Sequence, residues 1–271
     1  MSIINNRLKN SIRDFIPKQY QVPLKYYFNK IKTNHEPEME LLKYLVKKND
    51  LVIDVGGNRG IYAYQFWKLG AKVEIFEPNP TCIQVLKPWM ANKSNINIHT
   101  VGLSNNTGSV NLHIPIDNNG VEHDASASVE NVEFEHYRDQ LIFLKTLDSY
   151  SFKDVSFIKI DVEGHEYSVI KGATKLLNAS KPALLVEIEQ RHNSRPISEV
   201  FEKILSFGYK GFFLKNNILI SLESFDVSLD QSIDNFNKSK PKYINNFLFL
   251  DSDKINRGEY DILLNKKRRL I

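Results

Sequence analysis

The sequence predicts an α/β protein built on a doubly wound, mostly parallel sheet. Short apolar segments of strand character alternate with helical patterns almost strictly between residues 40 and 250. Within that region LVIDVGGNRG, at 51–60, joins a hydrophobic strand to a glycine turn and then to a helical pattern. Open α/β sheets build ligand pockets in this way, because the backbone of the turn must pass close to the ligand.

Length and composition limit the remaining classes of protein. The chain has 271 residues, 42% hydrophobic and 25% charged, so we expect one large globular domain with appendages. Cys82 is the single cysteine, which excludes an internal disulfide and a cysteine-rich metal site and is consistent with a reducing compartment. The first residues lack an apolar signal core, and no run approaches the roughly 20 apolar residues of a spanning helix. We therefore expect a cytoplasmic protein.

Positive charge concentrates at the two ends of the chain. Residues 1–50 contain eight Lys and two Arg against two Asp and three Glu, a balance of +5, whereas the whole chain carries +4. A second basic cluster, KKRR, stands at 266–269. We predict a basic, apolar helical extension over 1–36, a main domain over 37–251 and a basic tail over 252–271. These ends could contact the inner face of a membrane, although solvated tails commonly carry such charge.

The glycine turn narrows the choice of ligand. A dinucleotide turn of the GxGxxG kind beginning at Gly56 would need glycine at 58 and 61, where the chain has Asn58 and Ile61. Asp54, at the end of the strand, would repel a pyrophosphate but suits a ligand with an ammonium and a sulfonium, as in S-adenosylmethionine. A purely structural strand and turn explains this stretch equally well when it is taken alone.

The remaining elements follow from apolar periodicity and from turn residues. We predict one or two short helices in 1–35, interrupted by Pro17 and Pro23. The further helices are expected at 37–49, 61–69 and 81–91, from 166 and from 196. The strands are expected at 51–55, 72–76, 95–101, 109–114, 141–147, 155–161, 183–188, 209–214, 218–222 and 246–250.

Acidic residues follow several of these strands. Glu77 ends the second strand, where a carboxylate can accept hydrogen bonds from both hydroxyls of an adenosine ribose. Strand, glycine turn, helix, strand and acid in this order favour a nucleoside ligand. Asp161 ends the strand within VSFIKIDVEGHE at 155–166, and it should lie close to Asp54 because adjacent central strands share one crevice.

Residues 115–135 form a polar, acidic insertion that includes His123. Long irregular segments in compact domains are usually functional. We interpret this segment as a substrate lid.

Six motifs resemble, in order, those of the FkbM family of S-adenosylmethionine-dependent methyltransferases. They are DVGGNRGIYA at 54–63, FEPNP at 76–80, VGLSNNTGSVNL at 101–112, TLDSY at 146–150, IKIDVEGHE at 158–166 and KPALLVEIE at 181–189. The resemblance covers roughly residues 40–190. It implies a Rossmann-like class I methyltransferase fold with seven strands, the last antiparallel. It also implies O-methylation, of sugars in polysaccharides or other glycoconjugates or of small natural products.

The resemblance also implies where the cofactor lies. Gly57 stands where the family frequently has alanine, and position 165, variable in the family, is histidine here. The residues implied to bind the cofactor are Asp54, Gly56, Gly57, Asn58 and Gly60 at the methionine end, Glu77 at the ribose, Asn79, Gly102 and Leu103 at the adenine, and Asp161.

Methyl transfer to a hydroxyl needs an oriented acceptor and a base that takes its proton. We predict His165 as this base, beside Asp161, although a structural histidine hydrogen-bonded to Asp161 fits the same position. We expect Lys159 to pair with a carboxylate rather than to react. The predicted substrate contacts are Glu163, Glu187, His192 and His123.

Several other functions are less well supported by the sequence. A divalent ion on Asp161, Glu163 and Glu187 is conceivable but not favoured, because these residues lack tight metal-ligand spacing. Nucleic-acid N-methylation is disfavoured, since Val162 and not an aromatic motif follows the acid, and negative charge at the site would repel phosphates. A non-catalytic, membrane-associated adaptor would need a damaged cofactor site. A nicotinamide dehydrogenase is opposed by the spacing of the glycine turn.

Overall fold

The structure, a computed structural model, describes residues 15–32, 36–130, 135–232 and 243–264. Its helices are α1 (Lys18–Ile31), α2 (Leu42–Leu45), α3 (Ile61–Lys68), α4 (Pro80–Met90), α5 (Glu166–Lys171), α6 (Thr174–Ser180), α7 (Ser198–Leu205), α8 (Val227–Asp230), α9 (Ser252–Asn256) and α10 (Asp261–Leu264). Its strands are β1 (Leu51–Val55), β2 (Lys72–Phe76), β3 (Ile96–His99), β4 (Gly102–Leu103), β5 (Gly108–Pro115), β6 (Tyr137–Lys145), β7 (Val155–Ile160), β8 (Ala183–Glu187), β9 (Tyr209–Lys215), β10 (Ile218–Ser221) and β11 (Asn246–Asp251).

Eight strands form the main sheet, in the order β3-β2-β1-β7-β8-β11-β9-β10. The pairs from β3 to β8 are parallel, whereas β11 runs antiparallel to both β8 and β9. The predicted doubly wound sheet with an antiparallel last strand is therefore confirmed. The eighth strand, β10, extends the edge as a hairpin on β9, with Asn216 and Asn217 at positive φ in the turn.

Helices cover both faces of this sheet, because alternate strand residues point to opposite sides. On β1, Val52 faces a core with Phe66 of α3 and Leu86 of α4. The neighbouring Ile53 faces a second core with Val169 of α5 and Val200 of α7. The strand order reverses between β1 and β7, so the crevice expected at such a switch point lies between their carboxyl ends.

A second sheet of three strands, in the order β4-β6-β5, lies beside this crevice. Strands β5 and β6 pair antiparallel from Gly108 with Leu144 to Pro115 with Tyr137. Leu112, Ile114 and Ile142 form a small buried cluster on one side of it. The predicted lid connects β5 to β6 and is therefore anchored at both ends by paired strands.

Three predicted helices differ from the observed ones. The helix expected at 37–49 is a 3-10 turn, Pro37–Leu41, followed by α2, and it ends where Val46 becomes extended. The helix after 166 is divided into α5 and α6 at Gly172. Gly172 packs against the backbone of Ser104, where a Cβ would come 2.0 Å from the Ser104 carbonyl oxygen. Pro23 does not interrupt α1 but lies inside it, at the cost of one backbone hydrogen bond.

The terminal segments are described only in part. Helix α1 accounts for 14 of the 36 residues of the predicted extension, of which 1–14 and 33–35 lie outside the described residues, as does the KKRR cluster at 266–269. No helix in the described ranges combines the length and the apolar character that crossing a bilayer requires. The division into extension, main domain and tail remains a prediction.

Candidate active site

The glycine turn after β1 is packed directly against the end of β7. The backbone N–H groups of Gly56 and Gly57 both donate to the Phe76 carbonyl, at 2.9 and 3.2 Å. Gly56 has φ +76°, and a Cβ on it would lie 1.8 Å from the carbonyl oxygen of Asp161. Only glycine fits this position, and the contact joins the two strand ends that the sequence predicts to share a crevice.

Asp54 presents a buried carboxylate beneath this turn. It is 2% exposed and accepts the backbone N–H of Ala63, at the start of α3. Its Oδ2 atom has no hydrogen-bond partner among the described residues. Burial raises the pKa of Asp54 to about 7, with Lys159 lowering it and Asp161 raising it. An unpaired buried carboxylate oxygen is costly, so this atom is suited to a ligand with a cationic or hydrogen-bond-donating group.

Glu77, at the end of β2, is held by backbone amides. Its two carboxylate oxygens accept the N–H groups of Asn58, at 2.6 Å, and Asn79, at 2.7 Å. Burial raises the pKa of Glu77 to about 7 even though these two hydrogen bonds lower it. The carboxylate is fixed in orientation, and each oxygen retains a lone pair that can accept a hydroxyl from a ligand.

A cavity of about 260 Å³ lies between Glu77 and the small sheet, with Asp54 beneath the glycine turn and outside the cavity wall. Its wall is acidic on the side of the main sheet and apolar on the side of the small sheet and the lid. Of the predicted cofactor residues, the cavity wall includes Gly56, Asn58, Glu77, Gly102, Leu103 and Asp161. Its apolar wall includes Leu112, Ala127, Val129, Ile142 and Leu144.

The predicted lid forms part of the cavity wall. Asp124 pairs with Arg59, which lies within the glycine turn, and accepts a hydrogen bond from Asn79 Nδ2 at 3.3 Å. Farther along, Ser128 Oγ donates to the Glu163 carbonyl oxygen at 2.6 Å. The lid segment up to residue 130 is thus held against both strand ends that carry the site.

Asp161 and Glu187 lie together at the ends of β7 and β8, around Lys159. The Lys159 Nζ atom is 3.6 Å from Asp161 Oδ2 and 3.7 Å from Glu187 Oε2, so it pairs with carboxylates as predicted. Burial alone lowers the pKa of Lys159, but these carboxylates outweigh it and raise the pKa above its usual value. Burial and Asp161 raise the pKa of Glu187 well above its usual range, although Lys159 lowers it.

Glu163 and His192 meet across the turn that follows β7. The two side chains approach to 3.1 Å between Glu163 Oε2 and His192 Nε2. Glu163 lies at φ +50°. Position 164 must be glycine, because a Cβ there would lie 2.3 Å from the His192 carbonyl oxygen. Burial and the neighbouring Asp161 raise the pKa of Glu163 to about 8.

His165 lines the same cavity, with both ring nitrogens in contact with protein. Its Nδ1 lies 2.7 Å from Glu130 Oε1 and its Nε2 lies 2.9 Å from Ser104 Oγ. The alternative contact with Asp161 is not formed. The hydrogen bond from His165 lowers the pKa of Glu130, which is therefore an acceptor for Nδ1–H. In a neutral His165 that donates Nδ1–H to Glu130, the lone pair would lie on Nε2.

Two of the four predicted substrate contacts, His192 and His123, do not belong to the wall of the main cavity. His123 lies in the lid. Its Nε2 is 3.5 Å from Asp117 Oδ2, and it does not belong to the cavity wall, whereas the next residue, Asp124, does. His192 instead lines a second cavity of about 250 Å³ that also includes Glu130, Ser168, Asn193 and Ser194. The residues 163–165 separate the two cavities.

Several residues of the site were missed by the sequence analysis. Glu36, which accepts hydrogen bonds from Tyr62 and from Asn246 at 3.3 Å, also lines the main cavity. Glu130 and Asp124 were included only as part of the lid. No local pattern marks these residues, although Arg59, within the glycine-turn motif, signals an acidic partner. In the described ranges, no three His, Cys, Asp or Glu side chains are grouped to hold a metal ion.

The sheet order, the glycine turn after β1 and the acid after β2 are those of a class I, Rossmann-like methyltransferase fold. The profile of the Methyltransferase FkbM domain matches residues 54–210, more than half of the chain. The chain therefore belongs to the FkbM methyltransferase family and is a methyltransferase, as the sequence motifs predicted.

Individual relatives are more distant. Hexuronic acid methyltransferase AglP from Haloferax volcanii is 28% identical over 174 residues, which cover 61% of this chain and 68% of that protein. The structure of methyltransferase FkbM from Methylobacillus flagellatus KT is 17% identical, with a TM-score of 0.49, over 89% of this chain and 57% of that one. Fibrillarin from Aeropyrum pernix, solved with S-adenosyl-L-methionine, is 12% identical, with a TM-score of 0.42, over 78% of this chain and 72% of that one.

Proposed function

We propose that this methyltransferase uses S-adenosylmethionine to methylate a hydroxyl group of a sugar, in a surface polysaccharide, lipopolysaccharide or other glycoconjugate. One observation carries the cofactor assignment. Asp54 has a buried, unpartnered oxygen, and it lies on the strand beside Glu77, whose carboxylate is fixed by two backbone amides. A ligand with a positive charge and a diol satisfies both groups.

The residues present fit this cofactor, which supplies a methyl group on a positively charged sulfur. Asp54, below the glycine turn, would hold the cationic methionine end. Glu77 would accept the ribose hydroxyls, and Asn79, Gly102 and Leu103 would border the adenine. Gly56 lets the turn pass close to Asp161 at the switch point of the sheet, where the cofactor would lie.

The second cavity, beyond residues 163–165, would hold a part of a polyhydroxylated acceptor away from the hydroxyl that reacts at His165 in the main cavity. Its wall includes Ser168, Asn193 and Ser194, whose side chains match hydroxyl donors and acceptors. Arg195 lies over the ring of Tyr167, 4.7 Å from its centroid, which adds a flat surface of the kind that a sugar ring covers. The name of the Haloferax volcanii relative, a hexuronic acid methyltransferase, also supports a sugar.

We further propose that His165 takes the proton of the acceptor hydroxyl. Glu130 orients the ring by accepting from Nδ1–H, so Nε2 is the basic nitrogen. The acceptor hydroxyl would replace Ser104 Oγ at this nitrogen. Glu163, with His192 behind it, is the competing base, but a pKa of about 8 keeps it mostly protonated at pH 7. Asp161 and Glu187 would bind and orient the sugar hydroxyls, while the buried Lys159 holds these two carboxylates in place.

The cofactor assignment is tested by calorimetry with S-adenosylmethionine and, separately, with NAD. We expect binding of the first only, and binding of NAD alone would refute the proposal. The acceptor is then sought by incubating the protein with methyl-labelled cofactor and extracted surface glycans. Label in the glycan that resists mild alkali supports an ether, whereas alkali-labile label would show an ester and contradict hydroxyl methylation. If activity disappears with a chelator and returns with a divalent ion, the enzyme requires a metal ion in addition to the cofactor.

The base assignment is tested by kinetics of three variants. We expect His165→Ala to bind the cofactor normally but to lower kcat by about 10²- to 10⁴-fold, the contribution typical of a general base. His113→Ala is the matched control, since its ring also contacts a carboxylate, Asp139 at 2.6 Å, but outside the cavity. Full activity of His165→Ala together with an inactive Glu163→Gln variant would assign the base to Glu163 instead.

A further inference from the structure

Helix α1 exposes a stripe of large apolar side chains. Six of the fourteen exposed large hydrophobic residues in the described part of the chain lie between Phe15 and Ile31. At 3.6 residues per turn, five of them fall within about 100° of one another on the helix surface. These five, with their exposed fractions, are Tyr20 (54%), Leu24 (50%), Tyr27 (46%), Phe28 (52%) and Ile31 (82%).

The opposite side of α1 fixes the helix to the domain. Val22 is 1% exposed and Tyr26 is 8% exposed, and both belong to the core that includes α3 and α4. The Tyr26 hydroxyl donates to Gln65 of α3. The Val22 side chain reaches the glycine turn, since a Cβ on Gly60 would lie 3.4 Å from Val22 Cγ1. The buried side of α1 thus fixes the helix to the domain core, so that the stripe faces away from the domain.

Lysines border the stripe on both sides. Residues 15–32 contain four Lys and no Asp or Glu. By helical geometry, Lys25 and Lys32 lie on one border of the stripe and Lys30 lies on the other. Lys18 is turned toward α4, where its Nζ donates to Gln84 Oε1 at 3.1 Å. The Lys32 ammonium lies 4.3 Å from the centroid of the Phe28 ring, which shows how closely charge and apolar surface adjoin.

We propose that α1 docks this enzyme on an anionic lipid bilayer, with the helix lying in the plane of the interface. A helix with aromatic and aliphatic residues on one side and lysines at its borders suits that environment, because the apolar side chains enter the headgroup region while the ammonium groups meet lipid phosphates. A protein partner with an apolar groove would need acidic residues on both sides of it. This binding is independent of the proposed cofactor and acceptor, since α1 contributes no residue to the main cavity wall.

The test measures how the full-length protein sediments with lipid vesicles. Vesicles of phosphatidylcholine alone are compared with vesicles that contain 30% phosphatidylglycerol, at low and at physiological salt. We expect partitioning onto the anionic vesicles to be at least tenfold stronger, because each lysine near the surface contributes about fivefold. It should weaken with salt, since the charges are exposed.

Two double variants separate the stripe from other exposed apolar surface. The test variant is Leu24→Glu with Ile31→Glu, and the matched control is Leu229→Glu with Ile262→Glu, whose parent side chains are 66% and 70% exposed. We expect at least a tenfold loss of vesicle binding for the first and none for the second. S-adenosylmethionine binding, measured in parallel, should be unchanged in both and reports that they are folded.

Three results would overturn this proposal. The first is a wild-type protein that does not bind anionic vesicles. The second is vesicle binding that the Leu24→Glu, Ile31→Glu variant retains in full. The third is a wild-type dimer that this variant converts to a monomer without any vesicle binding, which would make the stripe a contact between copies of the chain.

Discussion

The Glu77→Gln substitution gives the sharpest test of the cofactor site. In the native chain both carboxylate oxygens accept backbone N–H groups, from Asn58 at 2.6 Å and from Asn79 at 2.7 Å. A glutamine side chain has nearly the same shape but carries one oxygen and one NH₂ group. The NH₂ group must therefore face one of the two backbone donors, which loses its acceptor in a buried place.

The expected magnitudes follow from these contacts. An unsatisfied buried donor costs about 1–3 kcal/mol, so the free energy of unfolding should fall by about that amount. The variant also loses one charged acceptor for a ribose hydroxyl, and hydrogen bonds to charged groups contribute about 1.5–3 kcal/mol. At 1.4 kcal/mol per factor of ten, the Kd for S-adenosylmethionine should rise by roughly 10- to 100-fold.

Calorimetric titration measures the Kd, and urea unfolding without ligand measures the stability. Glu74→Gln is the matched control, because Glu74 lies on the same strand, is 9% exposed and accepts hydrogen bonds from Asn97 and His99, away from the cavity. It should lose stability without losing cofactor affinity. The assignment of Glu77 to the ribose would be refuted by unchanged affinity in Glu77→Gln, or by an equal loss in both variants.

Two further predictions concern pH and the glycine turn. Because burial raises the pKa of both Asp54 and Glu77 to about 7, their contribution to stability is complete below about pH 4 and is lost as the pH rises to 7. The affinity for the cationic cofactor should instead increase from pH 6 to 8, as calorimetry at each pH would measure; a flat profile would contradict ionised carboxylates in the complex. Gly56→Ala should weaken cofactor binding more than tenfold, because its Cβ meets the Asp161 carbonyl at 1.8 Å, whereas Gly108→Ala, with no atom within 4 Å, should bind normally. Equal affinities in the two alanine variants would show that the turn can move without loss.

Features formed by consecutive residues could be predicted from the sequence, whereas contacts between distant segments could not. The glycine turn, Asp54 and Glu77 could be predicted because each stands at the end of a strand, and parallel strands place their carboxyl ends at one edge. The contact between Gly56 and Asp161 follows from the same rule. The doubly wound sheet and its antiparallel last strand needed only the alternation of elements and the family motifs.

The contacts of the proposed acceptor site could not be predicted in this way. His165 was identified as lying at the site, but its partners Glu130 and Ser104 are 35 and 61 residues away in the chain. The sequence favoured His123 in the lid, whereas the fold turns the next residue, Asp124, onto Arg59, 65 residues earlier. In an irregular segment, neighbouring residues can face in opposite directions. The lid has no repeating hydrophobic pattern from which the side chain facing the cavity could be predicted.

The sequence by itself therefore determined the fold class, the glycine turn with its neighbouring strand-end acids, and the methyltransferase family. Short-range order is sufficient for these features, since a strand, its turn and its terminal acid are consecutive residues. Only the tertiary structure decided how Glu36 and the lid close the cavity, and which face of α1 remains exposed. These features depend on packing between segments that are distant in sequence, so they exist only once the chain has folded.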